Sequence, residues 1–192
     1  MSEMGRREWL AGVAAAALAG QVEAQSAQHV HEAAAEEAKS GGGVYQPKAL
    51  TPHEFATLKT LCEIIVPGAS KGGAAEFIDL LSSRNPEMMA IYTGGLAWLD
   101  EKMKREAGAD FIGANDAQRT ALLDRIAYRR NDSPELAPGI RFFAWARRMT
   151  VDAYYTSPAG IQEVGFMGNK WQTEFKVPQE AVEYAVKRSL ME

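Results

Sequence analysis

Histidine and cysteine are scarce: 192 residues contain three His and one Cys. A lone cysteine excludes an intrachain disulfide, and Cys62 falls on what reads as the apolar face of a helix, an inert thiol rather than a nucleophile. No Cys-x-x-Cys-His occurs, which excludes covalently attached c-type haem. No Gly-x-Gly-x-x-Gly follows a strand. Gly165-Phe166-Met167-Gly168 lacks the third glycine, so a Rossmann dinucleotide site has no support. The Glu-x-x-His pairs of a helical di-iron site are missing too. His29 and His31, beside Glu32, lie in a stretch that reads as solvated, and His53 reads as a first-turn helix residue. Neither a metal centre nor the base of a triad is supplied. The carboxylates Glu63, Glu76, Asp79, Asp100 and Glu163 remain for acid–base work and read as solvated helix or loop charges. Net charge is −4 with the 21 basic residues dispersed, which argues against a nucleic-acid partner. No long stretch alternates with period two, so no sheet is expected.

What is present begins at the N-terminus. Arg6-Arg7 stands just ahead of Trp9-Leu10, an uncharged alanine-rich stretch runs to Val22, and Val22-Glu23-Ala24 has the small-x-small form of a cleavage site. About 20 apolar residues are needed to span a bilayer, and this run is shorter. It reads as a removable signal over 1–24, with Arg6, Arg7, Trp9, Leu10 and Ala24 as its functional positions. The arginine pair with a weakly hydrophobic core resembles a twin-arginine (Tat) signal, which serves proteins exported already folded. Residues 25–50, with Ala33-Ala34-Ala35 and Gly41-Gly42-Gly43, show little periodicity and read as a flexible tether.

From 51 to 192 the apolar spacing is helical. Thr51-Pro52-His53-Glu54 opens a helix with a capping box, and Phe55, Leu58, Leu61, Cys62 and Ile65 form its inner stripe up to Pro67. A short helix follows over 74–83. Asn85-Pro86 opens another, with Met89, Tyr92, Leu96, Leu99 and Met103 as its seam and Gly108 as its stop. Gly94-Gly95 inside it predicts either a close neighbour or a bend. Asn115 and Gln118 cap the next helix, with Leu122, Leu123 and Ile126 inward. An aromatic helix is expected over 140–155, with Phe142, Phe143, Ala146, Met149 and Ala153 inward. The last covers 178–190, with Val182, Ala185 and Val186 inward. The fold class is all-α, an irregular bundle of about six helices. Before the last helix runs a long aromatic and glycine-rich loop, Tyr154 to Trp171, whose Tyr154, Tyr155, Ser157, Gly160, Gly165, Phe166, Gly168, Asn169 and Trp171 are candidate partner-interface residues. Its aromatics could equally cap the bundle's own core.

Several segments in order resemble one family. They are Pro47-Lys48-Ala49-Leu50-Thr51, Ile64-Ile65-Val66-Pro67-Gly68, Gly72-Gly73-Ala74 with Glu76-Phe77-Ile78-Asp79, and Gly94-Gly95-Leu96 with Leu99-Asp100. Phe142-Phe143 follows, then Tyr154-Tyr155-Thr156-Ser157-Pro158-Ala159-Gly160 and Gly165-Phe166-Met167-Gly168-Asn169. Together they are similar to the gluconate 2-dehydrogenase subunit 3 family, over roughly Tyr45 to Trp171. The resemblance implies a small subunit with no cofactor and no catalytic residue of its own. Its partner would be a large FAD-binding subunit of the glucose-methanol-choline (GMC) type, often joined by a cytochrome c carrying haem c. It implies Tat co-export of a sugar or polyol dehydrogenase to the periplasm, membrane-associated through the complex, by way of the Tat translocase. The alternatives are a helical subunit that contributes directly to the substrate site, and a stand-alone periplasmic binding protein.

Overall fold

A computed structural model of the chain describes residues 27–165 and 177–189. Among these residues there are eight α-helices, two 3-10 turns and no strand, as the absence of period-two alternation predicts. The helices are α1 (27–40), α2 (Pro52–Ile65), α3 (Ala74–Arg84), α4 (Pro86–Ala107), α5 (Asp116–Ile126), α6 (Ala137–Tyr155), α7 (Pro158–Glu163) and α8 (Gln179–Ser189).

Local sequence sets the boundaries. Thr51 accepts a hydrogen bond from the Glu54 N–H while Glu54 reaches back to the Thr51 N–H, and Pro52 occupies the first turn, where no intrahelical donor is needed. Asn85 and Pro86 open α4 in the same way, and Gly108, at φ 76°, closes it in the left-handed conformation that side chains resist. Asn115 and Gln118 form a second reciprocal box at α5.

Helix α6 is the hub, packing on α2, α3, α4, α5 and α7. Its Phe142, Phe143, Ala146 and Ala153 are buried, as their three- and four-residue spacing predicts. The approach to α4 is unusually close. A Cβ on Gly95 would lie 2.0 Å from the Phe142 ring, so only a bare backbone fits there. The ring also meets Tyr92 edge-on at 5.8 Å. Gly139 plays the converse role, since a Cβ there would sit 2.3 Å from the Trp98 indole. The glycine pair is therefore a close-packing device at position 95. At Gly94 a Cβ would meet nothing within 4 Å, so that glycine forgoes about 1 kcal/mol of helix propensity with no neighbour among the described residues to require it.

Several expectations need correction. Residues 27–50 are not a tether. Helix α1 buries Val30 and Ala34, its His31 lies against Phe77 with ring centres 4.6 Å apart, and Tyr45 and Leu50 are in the core. An alanine-rich stripe of small side chains carries a weak periodic signal yet seats a helix closely. Asp79 and Asp100 are not solvated: they are 0% and 8% exposed. Asp79 is a clamp. Its Oδ2 accepts from the Tyr45 hydroxyl at 2.8 Å and the Lys48 N–H at 2.6 Å, and its Oδ1 accepts from the Ala49 and Leu50 N–H groups at 3.1 and 2.9 Å. Four donors replace the water that burial removed. At the start of α4 it is Met88 that is buried, while Met89 is 38% exposed. In α8, Val182, Ala185 and Val186 are exposed rather than inward.

Two stability outcomes follow. Gly95→Ala should lower stability by about 2 kcal/mol despite its better helix propensity, because the Phe142 ring must move, and Tm should fall by roughly 5 °C. Asp79→Asn should lose about 3 kcal/mol in urea unfolding, since an amide turns a donor towards backbone N–H groups. It should also open residues 45–50 to proteolysis before the rest of the chain.

Candidate functional site

The described start of the aromatic segment that the sequence offers as an interface, residues 154–160, is helical and in part buried. Tyr154 and Tyr155 end α6 rather than beginning a loop, and Ser157 starts α7 by accepting the Gly160 N–H at 3.2 Å. The Ser157 hydroxyl donates to the Tyr154 carbonyl at 2.6 Å. A Cβ on Gly160 would fall 2.1 Å from that same carbonyl, so the turn from α6 into α7 closes only on glycine. Tyr154 is 4% exposed and donates its hydroxyl to Glu163, whose carboxylate pushes the phenol up to about 12.

The corner is braced from α2. Glu63 accepts the Gly68 and Ser70 N–H groups at 2.7 and 3.0 Å, and those donors hold its carboxyl below the usual range. The glycine loop after α2 then fits beneath Tyr154 and Ser157; a Cβ on Gly72 would meet both at 2.7 Å. Three of the nine candidate interface residues, Tyr154, Ser157 and Gly160, thus serve the chain's own packing. Tyr155 is 38% exposed and Gly165, at φ 65°, turns the chain at the surface. Phe166, Gly168, Asn169 and Trp171 lie outside the described residues, as do the signal positions Arg6, Arg7, Trp9, Leu10 and Ala24.

Side chains of catalytic type are engaged elsewhere. His53 Nε2 is 2.7 Å from Asp100 Oδ2, and Asp100 Oδ1 accepts the Phe111 N–H at 3.0 Å. This pair has the form of a base and its orienting carboxylate, but among the described residues no hydroxyl or thiol is hydrogen-bonded to His53. It joins the start of α2 to α4 and to the 108–115 loop. His31, expected in solvent, is half-buried 3.1 Å from the Thr156 hydroxyl, and desolvation holds its imidazole below the usual value. Glu76 pairs with Lys59 at 3.4 Å. Cys62 is 1% exposed, 3.3 Å from the Thr150 hydroxyl, and burial pushes its thiol up to about 12. Among the described residues no three His, Cys, Asp or Glu gather as a metal site, and no helix is long and apolar enough to cross a membrane.

Several hollows mark the surface of the described residues, and three have walls bearing on docking. One of about 640 Å³ lies beneath α1, beside His31, Tyr45, Lys59 and Glu76. One of about 300 Å³ lies between α2, α5 and α6, beside Ile64, Leu123 and Phe143. The third, about 390 Å³, is a groove between α4 and α6 walled by Ile91, Trp98, Arg141 and Trp145, with Gly94 at its side. Sequence reasoning missed this groove. Its signals were a glycine pair in one helix and Trp145, a tryptophan off the apolar stripe of the next.

Native Cys62 should resist a thiol-alkylating reagent at pH 8, where so weak an acid offers almost no thiolate, and react fully once urea unfolds the chain. Rapid native labelling would mean that the thiol is reachable.

No characterised protein and no solved structure matches the chain significantly. A family model, described as gluconate 2-dehydrogenase subunit 3, matches residues 52–174, from the first residue of α2 past α7. That span holds the α2 to α7 core and the tyrosine corner, and on it the chain belongs to the gluconate 2-dehydrogenase subunit 3 family.

Proposed function

We propose that the chain is the non-catalytic small subunit of a FAD-dependent sugar or polyol dehydrogenase, docking a GMC-type flavoprotein and escorting it to the periplasm on its own Tat signal. One observation carries the reading: the family named for a dehydrogenase subunit spans a helical body in which Cys62, Asp79 and the His53–Asp100 pair are engaged by the chain's own fold. Cys62 is sealed in the core, Asp79 clamps the segment before α2, and His53 and Asp100 join helices. With these groups so engaged, the chain serves an oxidation by holding another polypeptide. FAD belongs to that partner, and haem c, where present, to a third subunit. The Arg6-Arg7 pair and the Ala24 cleavage position support export of a complex already folded.

The test is co-expression with a GMC-type flavoprotein of the same organism. The chain purified alone should be colourless and inactive on sugars with an artificial electron acceptor, and the co-purified pair should be yellow and active. Replacing Arg6 and Arg7 by lysine should leave both polypeptides in the cytoplasm. Arrival of the flavoprotein in the periplasm beside that variant would end the escort reading, and sugar oxidation by the chain alone would end the non-catalytic one.

A further inference from the structure

We infer that the groove between α4 and α6 is where the flavoprotein docks, receiving a bulky apolar side chain set beside a carboxylate; this rests on the docking role proposed above. The first support is Gly94. Its neighbour Gly95 is required by the Phe142 ring, but a side chain at 94 would meet no atom of the described residues within 4 Å, so their packing gives no reason for glycine there. A residue without a Cβ on an exposed helix face permits close approach from outside.

The second support is what surrounds it. Trp145 is 43% exposed although it is among the largest apolar side chains in the protein, and with Trp98 and Ile91 it forms apolar walls. Buried tryptophan and arginine are the side chains that most often dominate binding energy at interfaces. Arg141 lines the same groove, and its guanidinium has no hydrogen-bond or ion-pair partner among the described residues. Among the described residues no carboxylate lines the groove. Arg148, two turns along α6, adds positive charge and is held only loosely by Asp152 at 3.8 Å. The fork of Arg141 fits a partner's Asp or Glu bidentately.

Charge also selects between occupants. A second copy seated face to face would bring Arg141 of one chain towards Arg141 of the other, with no acid among the described lining residues to offset them. The flavoprotein, bearing an acidic residue next to its apolar anchor, meets no such repulsion. The tyrosine corner makes a poorer anchor, because Tyr154 and Ser157 are already buried and hydrogen-bonded.

The experiment uses the full chain carrying Gly94→Met or Arg141→Glu, with three measurements on each: Tm of the chain alone, its mass in solution, and its affinity for the co-expressed flavoprotein. Gly94→Met should keep or raise the Tm of the free chain, since a helix former replaces glycine at an open position. It should still weaken the complex about tenfold or more, and Arg141→Glu should do likewise at unchanged Tm. Wild-type affinity in both variants overturns the inference and leaves the docking role standing. A lowered Tm for Gly94→Met would mean that a segment of the same chain fills the groove. Self-association of the wild type that Gly94→Met abolishes would mean that a second copy does. Either result overturns the flavoprotein as occupant. If the wild-type chain binds no flavoprotein, the docking role falls and takes this inference with it.

Discussion

The contact between the Phe142 ring and the bare backbone of Gly95 sets the distance between α4 and α6, and much of the bundle is arranged around that pair. Side chains normally hold two helices 8–10 Å apart. Removing one Cβ lets an aromatic ring occupy the backbone surface, so the axes draw together at this crossing. Trp98 and Gly139 repeat the device one turn along α4 with the roles exchanged, small residue on α6 and large on α4. The two contacts resist sliding of one helix past the other, because each ring has only one notch that admits it. The same crossing makes the external groove, for where the helices meet over glycine the large residues beside the contact stand proud as walls.

Carboxylates do the work that disulfides do in many small domains. Asp79 gathers three backbone N–H groups and a tyrosine hydroxyl, Asp100 joins a histidine to a loop N–H, and Glu63 closes the turn after α2. Each holds an irregular segment against a helix, where regular backbone hydrogen bonding is missing and orphan donors would otherwise be buried. The reverse polarity would serve less well: a lysine offers only donors, and these segments need an acceptor for their N–H groups. The loops surrounding α2 and α3 are therefore fixed by charge-assisted hydrogen bonds, and the one cysteine is free to act as a small apolar filler.

Helix starts were the most legible part of the sequence, and the reason is locality. Thr51 with Glu54, Asn85 with Pro86, and Asn115 with Gln118 satisfy one another within four residues, so the signal does not depend on the rest of the molecule. Helix α1 was illegible because alanine carries almost no amphipathic contrast. Its place is decided by what it lies on, Phe77 and Thr156, which are remote in sequence. Asp79 looked solvated because composition makes a buried carboxylate improbable until its donors are known, and those donors belong to a segment without periodicity. Helix α7 was hidden in a stretch dominated by tyrosine and glycine, although Ser157-Pro158 is the same cap-and-proline signal that opened α4. In α8 the apolar spacing was read correctly as helical, but amphipathicity says only that one face prefers cover, not that this chain supplies it.

That last distinction governs how a docking surface is recognised in this family member. A side chain whose hydrogen bonds and contact area are already used at home has little free energy left to release on binding, whatever its type. Tyr154 is such a residue: it would have to leave Glu163 and the glycine loop to meet a partner, and the two losses would offset the gain. Trp145 and Arg141 stand in the opposite position. Their apolar area and donors still face water, the helix carrying them is held rigid by five others, and little conformational entropy remains to be lost when a partner covers them. Binding free energy comes from what the fold has left unsatisfied on a rigid support. By that criterion Tyr154, Ser157 and Gly160 belong to the fold, and apolar area and donors still open to a partner lie on the neighbouring face of the same helix.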